Sequence, residues 1–216
     1  MSGFPLPWVT EWDLMVGWDR HNQLCIPPTP PLPPLPSPMH NHVVGASMHW
    51  ALNSGAFPDQ TVFVEDRWPC KHYHDISWLI PHVPIPLPGW VLLPVIIPLS
   101  SSKIVLGSFS VQCKDKSVGL WGPMLNCWSL FPRPTALIIP TRMPTVFVGM
   151  NWMDLLISAL FMGFDMLLSF LLNKAFDKWL KPFVDGLLGK GLNRIFKGEI
   201  MAAVNQSLRK LSGEVI

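Results

Sequence analysis

Ile96-Ile97-Pro98 followed by Lys103-Ile104-Val105-Leu106-Gly107 has a counterpart 42 residues later, in Ile138-Ile139-Pro140 followed by Thr145-Val146-Phe147-Val148-Gly149. A third run, Thr61-Val62-Phe63-Val64, stands the same distance before the first. Pro, Gly, Ser and Asp punctuate these short β-rich runs, so residues 39–150 read as strands joined by turns. Three units of this length, each too small to bury its own apolar face, suggest a repeated element packed about a pseudo-threefold axis. The competing explanation is chance matching of short aliphatic runs, in a chain that is 49% hydrophobic.

Composition agrees with a β-rich body. The 216 residues include 24 prolines, and proline interrupts both helices and central strand ladders. Charged residues make up 14%, against about 25% in an average soluble chain. That excludes a disordered solvating chain. A net charge of +2 gives no bulk reason to expect nucleic acid.

The flanking segments differ in character. Residues 1–38 contain a proline-rich run from Cys25 to Pro38, which reads as a stiff polyproline II strap or as a ligand for a proline-binding module. Met1 to Asp19 lacks the basic start and apolar core of a secretory signal peptide, so a cytoplasmic origin with reduced thiols is expected. Residues 151–216 read as a helical extension. Asn151 to Leu180 carries a cap at Asn151 and an acidic first turn at Asp154.

Leu155 to Leu172 is close to bilayer-crossing length. Asp154, Ser158, Asp165, Ser169 and Asn173 fall along one side of that helix, a poor pattern for a lone membrane span but a suitable one for a bundle, a chaperone groove or a membrane assembly. A second helix is expected over Leu192 to Leu211, in a tail that carries eight Lys and Arg against four Asp and Glu from Lys174 onward. Such a tail is either a solvated face or a contact for anionic lipid.

No hydrolase elbow, phosphate loop or dinucleotide fingerprint is present, and the sparse carboxylates form no acid/base pair in sequence. No catalytic residue is assigned. The four cysteines show no CxxC spacing. Histidine placement says more, because all seven histidines lie in the first 82 residues. His82 minus the 42-residue interval falls on His40, beside His42; plus the interval it falls on Met124, three residues before Cys127. With His21 these make a set of three histidines and one cysteine that suits tetrahedral Zn²⁺, with iron or no metal as alternatives. Hydrogen-bonded or surface histidines and a small buried cysteine are the structural alternative.

Ile80-Pro81-His82-Val83-Pro84, Ser108-Phe109-Ser110-Val111, Met124-Leu125-Asn126-Cys127, Pro134-Thr135-Ala136 and Pro144-Thr145-Val146-Phe147-Val148-Gly149 resemble, in order and spacing, the PAAR-like domains found near the N-termini of Rhs-type effectors. Asp19-Arg20-His21 and the proline run resemble the stretch leading into such domains, so the likeness covers residues 13–150. The resemblance implies a small conical, mainly β domain of three pseudo-repeats, here followed by an α-helical extension. Its base would sit on the trimeric valine-glycine-repeat spike of a type VI secretion or related contractile injection system. Its tip would be held by a metal ion, with His21, His40 or His42, His82 and Cys127 as ligands.

The Pro-Ala-Ala-Arg tetrad that names the family is missing; Lys116-Ser117-Val118-Gly119 stands where a related turn falls, and His72 and His74 are rival ligands. The expected protein is a non-enzymatic spike tip, cytoplasmic in a bacterium before firing and then secreted or injected. Residues 151–216 would attach an effector, meet a chaperone or touch the target membrane. A membrane-active toxin working through 151–216 is the alternative, a plain structural adaptor a further one and a metalloenzyme the weakest, since a closed four-ligand site leaves no position for substrate water.

Overall fold

The computed structural model describes residues 3–25, 35–50, 62–85, 92–128 and 132–180, with Pro182 and Gly186. It is mainly β, with a curled antiparallel half-barrel sheet and one long helix toward the C-terminal end. The strands are β1 (Phe4–Pro7), β2 (Leu14–Cys25), β3 (Leu35–Ser47), β4 (Asp75–Ser77), β5 (His82–Ile85), β6 (Ser101–Ile104), β7 (Gly107–Cys113), β8 (Lys116–Gly119), β9 (Pro123–Asn126), β10 (Arg133–Ile139) and β11 (Phe147–Met150). The helices are α1 (Leu93–Leu99) and α2 (Trp152–Ala175); α2 runs on into a π-helical turn, Phe176–Leu180.

Seven strands form the main sheet in the order β4-β6-β9-β10-β2-β3-β5, with β1-β11 and β7-β8 as separate pairs. The β2–β3 ribbon is its spine, pairing Leu14 with Ser47 at one end and Cys25 with Leu35 at the other. It crosses residue 38, so the chain up to Cys25 belongs to the same sheet as the β region and is not a separate segment. Pro36 and Pro38 lie inside β3, where the strap expected from composition is already laddered, and residues 26–34 of that strap lie outside the described residues.

Period-two alternation decides what each sheet face presents. One face turns Met15, Val44, Ala136 and Ile138 into a core shared with Val9, Met48, Ile76, Leu79, Ile104 and Met124. Full burial of such aliphatic side chains contributes roughly 1.5–3 kcal/mol each. The strands approach closely there: a Cβ on Gly17 would fall 2.5 Å from Ala136 Cβ. The other face leaves Leu14, Val16, Trp18, Val43, Val83, Ile85, Leu137 and Ile139 exposed. Register makes them contiguous, since Leu137 pairs with Val16, Trp18 with Val43 and Val43 with Val83.

The 42-residue match does not mark segments of like conformation. Ile96-Ile97-Pro98 lies in α1, which buries Leu93 and Ile96 one turn apart, whereas Ile138 and Ile139 close β10 with alternate burial. Val64 makes only an isolated bridge, with Arg67. A short aliphatic run carries no period of its own, so its surroundings choose helix or strand.

The helix expectation holds from its first turn. Asn151 Oδ1 accepts from the Asp154 backbone N–H at 2.8 Å, and Asp154 Oδ2 accepts from the Asn151 N–H at 3.0 Å, a reciprocal cap. The polar seam faces inward: Asp154, Ser158, Ser169 and Asn173 are buried. Asp154 Oδ1 accepts from the Phe109 N–H at 2.9 Å, Ser158 Oγ from the Gly107 N–H at 3.3 Å, and Asp165 lies 3.6 Å from Lys103 Nζ. The apolar side faces out, with Leu160 and Phe164 each 64% exposed. The second helix expected over Leu192 to Leu211 lies outside the described residues.

Candidate metal centre

Asp19 and His21 stand two apart on β2 and therefore point to the same side of the sheet. His42 on β3 is the register partner of Asp19. His82 begins β5 and pairs with Val44, one strand further along. Cys127 follows β9 directly. Its approach is fixed by buried Asn126, whose Nδ2 donates to the Trp18 carbonyl at 3.1 Å and whose Oδ1 accepts from the Cys127 N–H at 3.0 Å. Thr135 Oγ1 donates to the same Trp18 carbonyl at 2.6 Å. Four stretches of chain thus deliver five side chains to one end of the buried sheet face.

All five are buried, Asp19 completely. His21 Nε2 lies 3.0 Å from Asp19 Oδ2, Cys127 Sγ donates to the same oxygen at 2.9 Å, and His82 Nε2 lies 3.5 Å from Asp19 Oδ1. Cys127 Sγ is 3.5 Å from His21 Nε2. The three imidazoles form a triangle, with ring centroids 5.3 Å (His21–His42), 5.2 Å (His21–His82) and 4.9 Å (His42–His82) apart.

Burial alone would push the Asp19 carboxyl up, but the charge of the neighbouring His21 and His82 and the contact with His21 Nε2 outweigh it and hold the group well below the usual carboxylate range. An ionised carboxylate this dry needs positive charge beside it. Neither ring nitrogen of His82 nor Asp19 Oδ1 makes a hydrogen bond among the described residues. Buried polar atoms normally find partners, and a cation between these groups would supply them. Asp19, His21 and His82 each bring one donor atom within 4.8 Å of the other two, so this buried group can hold a metal ion.

Of the ligands expected from sequence, His21, His42, His82 and Cys127 come together. His40 pairs with His21 in the β2–β3 ladder, and its side chain lies outside the described residues. The rivals go elsewhere. His74 Nε2 bonds the Met48 carbonyl at 3.0 Å, and His72 Nε2 bonds the Val105 carbonyl at 2.9 Å. Burial pushes the His72 pKa down to about 4, against the smaller opposing effect of that bond. Asp19 is the residue that sequence reasoning missed. The signal was its place two residues before His21 on a strand, which sets a carboxylate and an imidazole side by side.

Among the described residues, Cys70, Cys113 and Cys127 form no disulfide. No protein-family model, curated protein or solved structure matches the chain.

Proposed function

We propose that this chain is a metal-pinned spike tip: a non-enzymatic protein that caps a trimeric valine-glycine-repeat spike of a contractile injection system and carries cargo on its helical extension. One observation carries the reading. Four residues that the PAAR-like resemblance implied as ligands, spread from position 21 to position 127, meet in one dry cluster with a buried carboxylate. Zn²⁺ is the ion of choice for imidazole and thiolate donors at tetrahedral spacing, and a closed structural site contributes directly to folding free energy. The ion would tie β2, β3, β5 and the end of β9 together, so axial load would be shared among strands distant in sequence. The two Ile-Ile-Pro segments do not fold alike, so this reading rests on the strands that converge on the site rather than on three like units.

The exposed apolar face of β10, β2, β3 and β5 is the surface we assign to the spike. Its exposed residues Leu14, Val16, Trp18, Val43, Val83, Ile85, Leu137 and Ile139 are all apolar and stand on strands of one sheet. Co-elution of the zinc-loaded chain with a trimeric valine-glycine-repeat spike, at one chain per trimer, is the expected result. Absence of a complex refutes the assignment.

A second reading has its own support. The helical stretch Trp152–Trp179, 28 residues within α2 and its π-helical turn, is long and apolar enough to cross a membrane, and its outer side is largely Leu, Met and Phe. A membrane-active role for residues 151–216 predicts leakage of dye-loaded vesicles by the full chain without any spike. Intact vesicles remove that role.

A further inference from the structure

We propose that Asp19 is itself a ligand of the ion, so that the donor set is Asp19, His21, His82 and Cys127, with His42 packing against the site from outside the coordination sphere. This rests on the metal-site reading and revises which residues carry it. Asp19 is the one side chain in direct polar contact with the other three donors: His21 at 3.0 Å, Cys127 at 2.9 Å and His82 at 3.5 Å. Among the described residues, the donors that all lie within 4.8 Å of one another are Asp19, His21 and His82, without His42 or Cys127; Cys127 joins them through its contacts with Asp19 at 2.9 Å and His21 at 3.5 Å.

The spacings fit a tetrahedral ion. Two ligands at about 2.0–2.1 Å (nitrogen) and about 2.3 Å (sulfur) lie about 3.5 Å apart on one tetrahedron. His21 Nε2 and Cys127 Sγ are 3.5 Å apart. Oxygen and nitrogen ligands lie about 3.3 Å apart; His21 Nε2 stands 3.0 Å from Asp19 Oδ2 and His82 Nε2 3.5 Å from Asp19 Oδ1, so the carboxylate meets the two rings through different oxygens and turns to bring one of them to the ion. Two adjustments follow: the thiol–carboxylate hydrogen bond at 2.9 Å opens by about 0.6 Å when the thiol proton leaves, and Cys127 Sγ, which is not within 4.8 Å of all three of the other donors, moves in toward the ion.

The chemistry agrees. The Nε2 atoms of His21 and His82 face carboxylate oxygens of Asp19, so the atoms that would give lone pairs to an ion converge on the group that would share it. A dication with one carboxylate and one thiolate is neutral, which suits a site with no water to screen charge. The carboxylate makes the site harder than a three-histidine, one-cysteine set while keeping it four-coordinate.

X-ray absorption at the zinc edge of the zinc-loaded full chain tests this without any substitution. Two imidazole rings, one further oxygen and one sulfur around the ion are expected; three imidazole rings overturn the assignment. Zinc stoichiometry by elemental analysis of variants gives the second readout. Asp19→Asn should lose zinc, Asp19→Glu should recover part of it, and His42→Gln should retain about one equivalent. The reverse pattern, Asp19→Asn loaded and His42→Gln empty, overturns Asp19 as ligand but leaves the metal site standing, provided that His82→Ala also loses zinc. A wild-type chain that takes up no zinc overturns the site and this inference together.

Discussion

The Cys127 thiol donates to the Asp19 carboxylate across 108 residues of sequence, at 2.9 Å and out of reach of solvent. Groups this far apart in the chain meet only when β2 and β9 are both in place, so their chemistry reports on the whole sheet. Replacing Cys127 by Ala, or His82 by Ala, should remove bound zinc. A chelator should lower the melting temperature of the wild type and leave that of either variant nearly unchanged. Calorimetry with and without chelator checks this, and equal chelator sensitivity in all three proteins would falsify a structural ion.

His72 gives the fold an acid limit unrelated to the metal. Above the ordinary imidazole value near 6.5 the folded and unfolded chains both hold it neutral. Between that value and about 4 the unfolded chain takes up a proton that the buried ring refuses, so stability falls as pH falls through this window, by up to about 3 kcal/mol. His72→Phe, which keeps a ring beside Phe109 and Phe161, should flatten this part of the stability profile. An NMR titration placing the His72 midpoint near its ordinary value would contradict the expectation.

Asp154 both caps α2 and satisfies a backbone donor of β7. Losing the cap costs about 1 kcal/mol, and a buried N–H left without its acceptor costs about 1–3 kcal/mol. Asp154→Ala should therefore destabilise the protein by about 2–4 kcal/mol, and Asp154→Asn by less, because it keeps an acceptor. Urea denaturation measures both. A change below about 0.5 kcal/mol in Asp154→Ala would mean that the helix does not dock through this residue.

The apolar sheet face separates folding from assembly. Leu137 and Trp18 are more than half exposed, so Leu137→Lys and Trp18→Ser should each shift stability by only about 0.5 kcal/mol. The same changes should abolish co-elution with a spike trimer. Variants that fold and still bind would move the docking surface elsewhere.

The strand content and the cap of α2 at Asn151 were legible in the sequence because each left a local mark: β-rich runs between turns and an Asn-x-x-Asp cap. The ligand candidates came from a 42-residue interval and the PAAR-like resemblance, which left His40 and His42 both open, and the fold brings His42 to the cluster. The fate of the Ile-Ile-Pro segments was not legible, since four apolar residues fit a helical turn or a strand equally and Leu93 and Ile96 settled the matter by burial. Nor was the role of residues before 39. Prolines at 36 and 38 argue against a strand in composition, yet β3 takes them in at the far end of its ladder with β2. Asp19 was passed over because a lone carboxylate in sequence reads as surface, and only the register against His42 and the approach of Cys127 show it sealed inside.

The orientation of α2 has a practical corollary for anyone handling the molecule. Asp154, Ser158 and Asp165 are spent on the body, and Ser169 and Asn173 are buried, so the flank offered to buffer is a greasy ridge from Trp152 through Leu160 and Phe164 to Trp179. Concentration-dependent clumping should therefore begin along that ridge, and mild detergent should keep the particles single where salt, which strengthens apolar contacts, makes them worse.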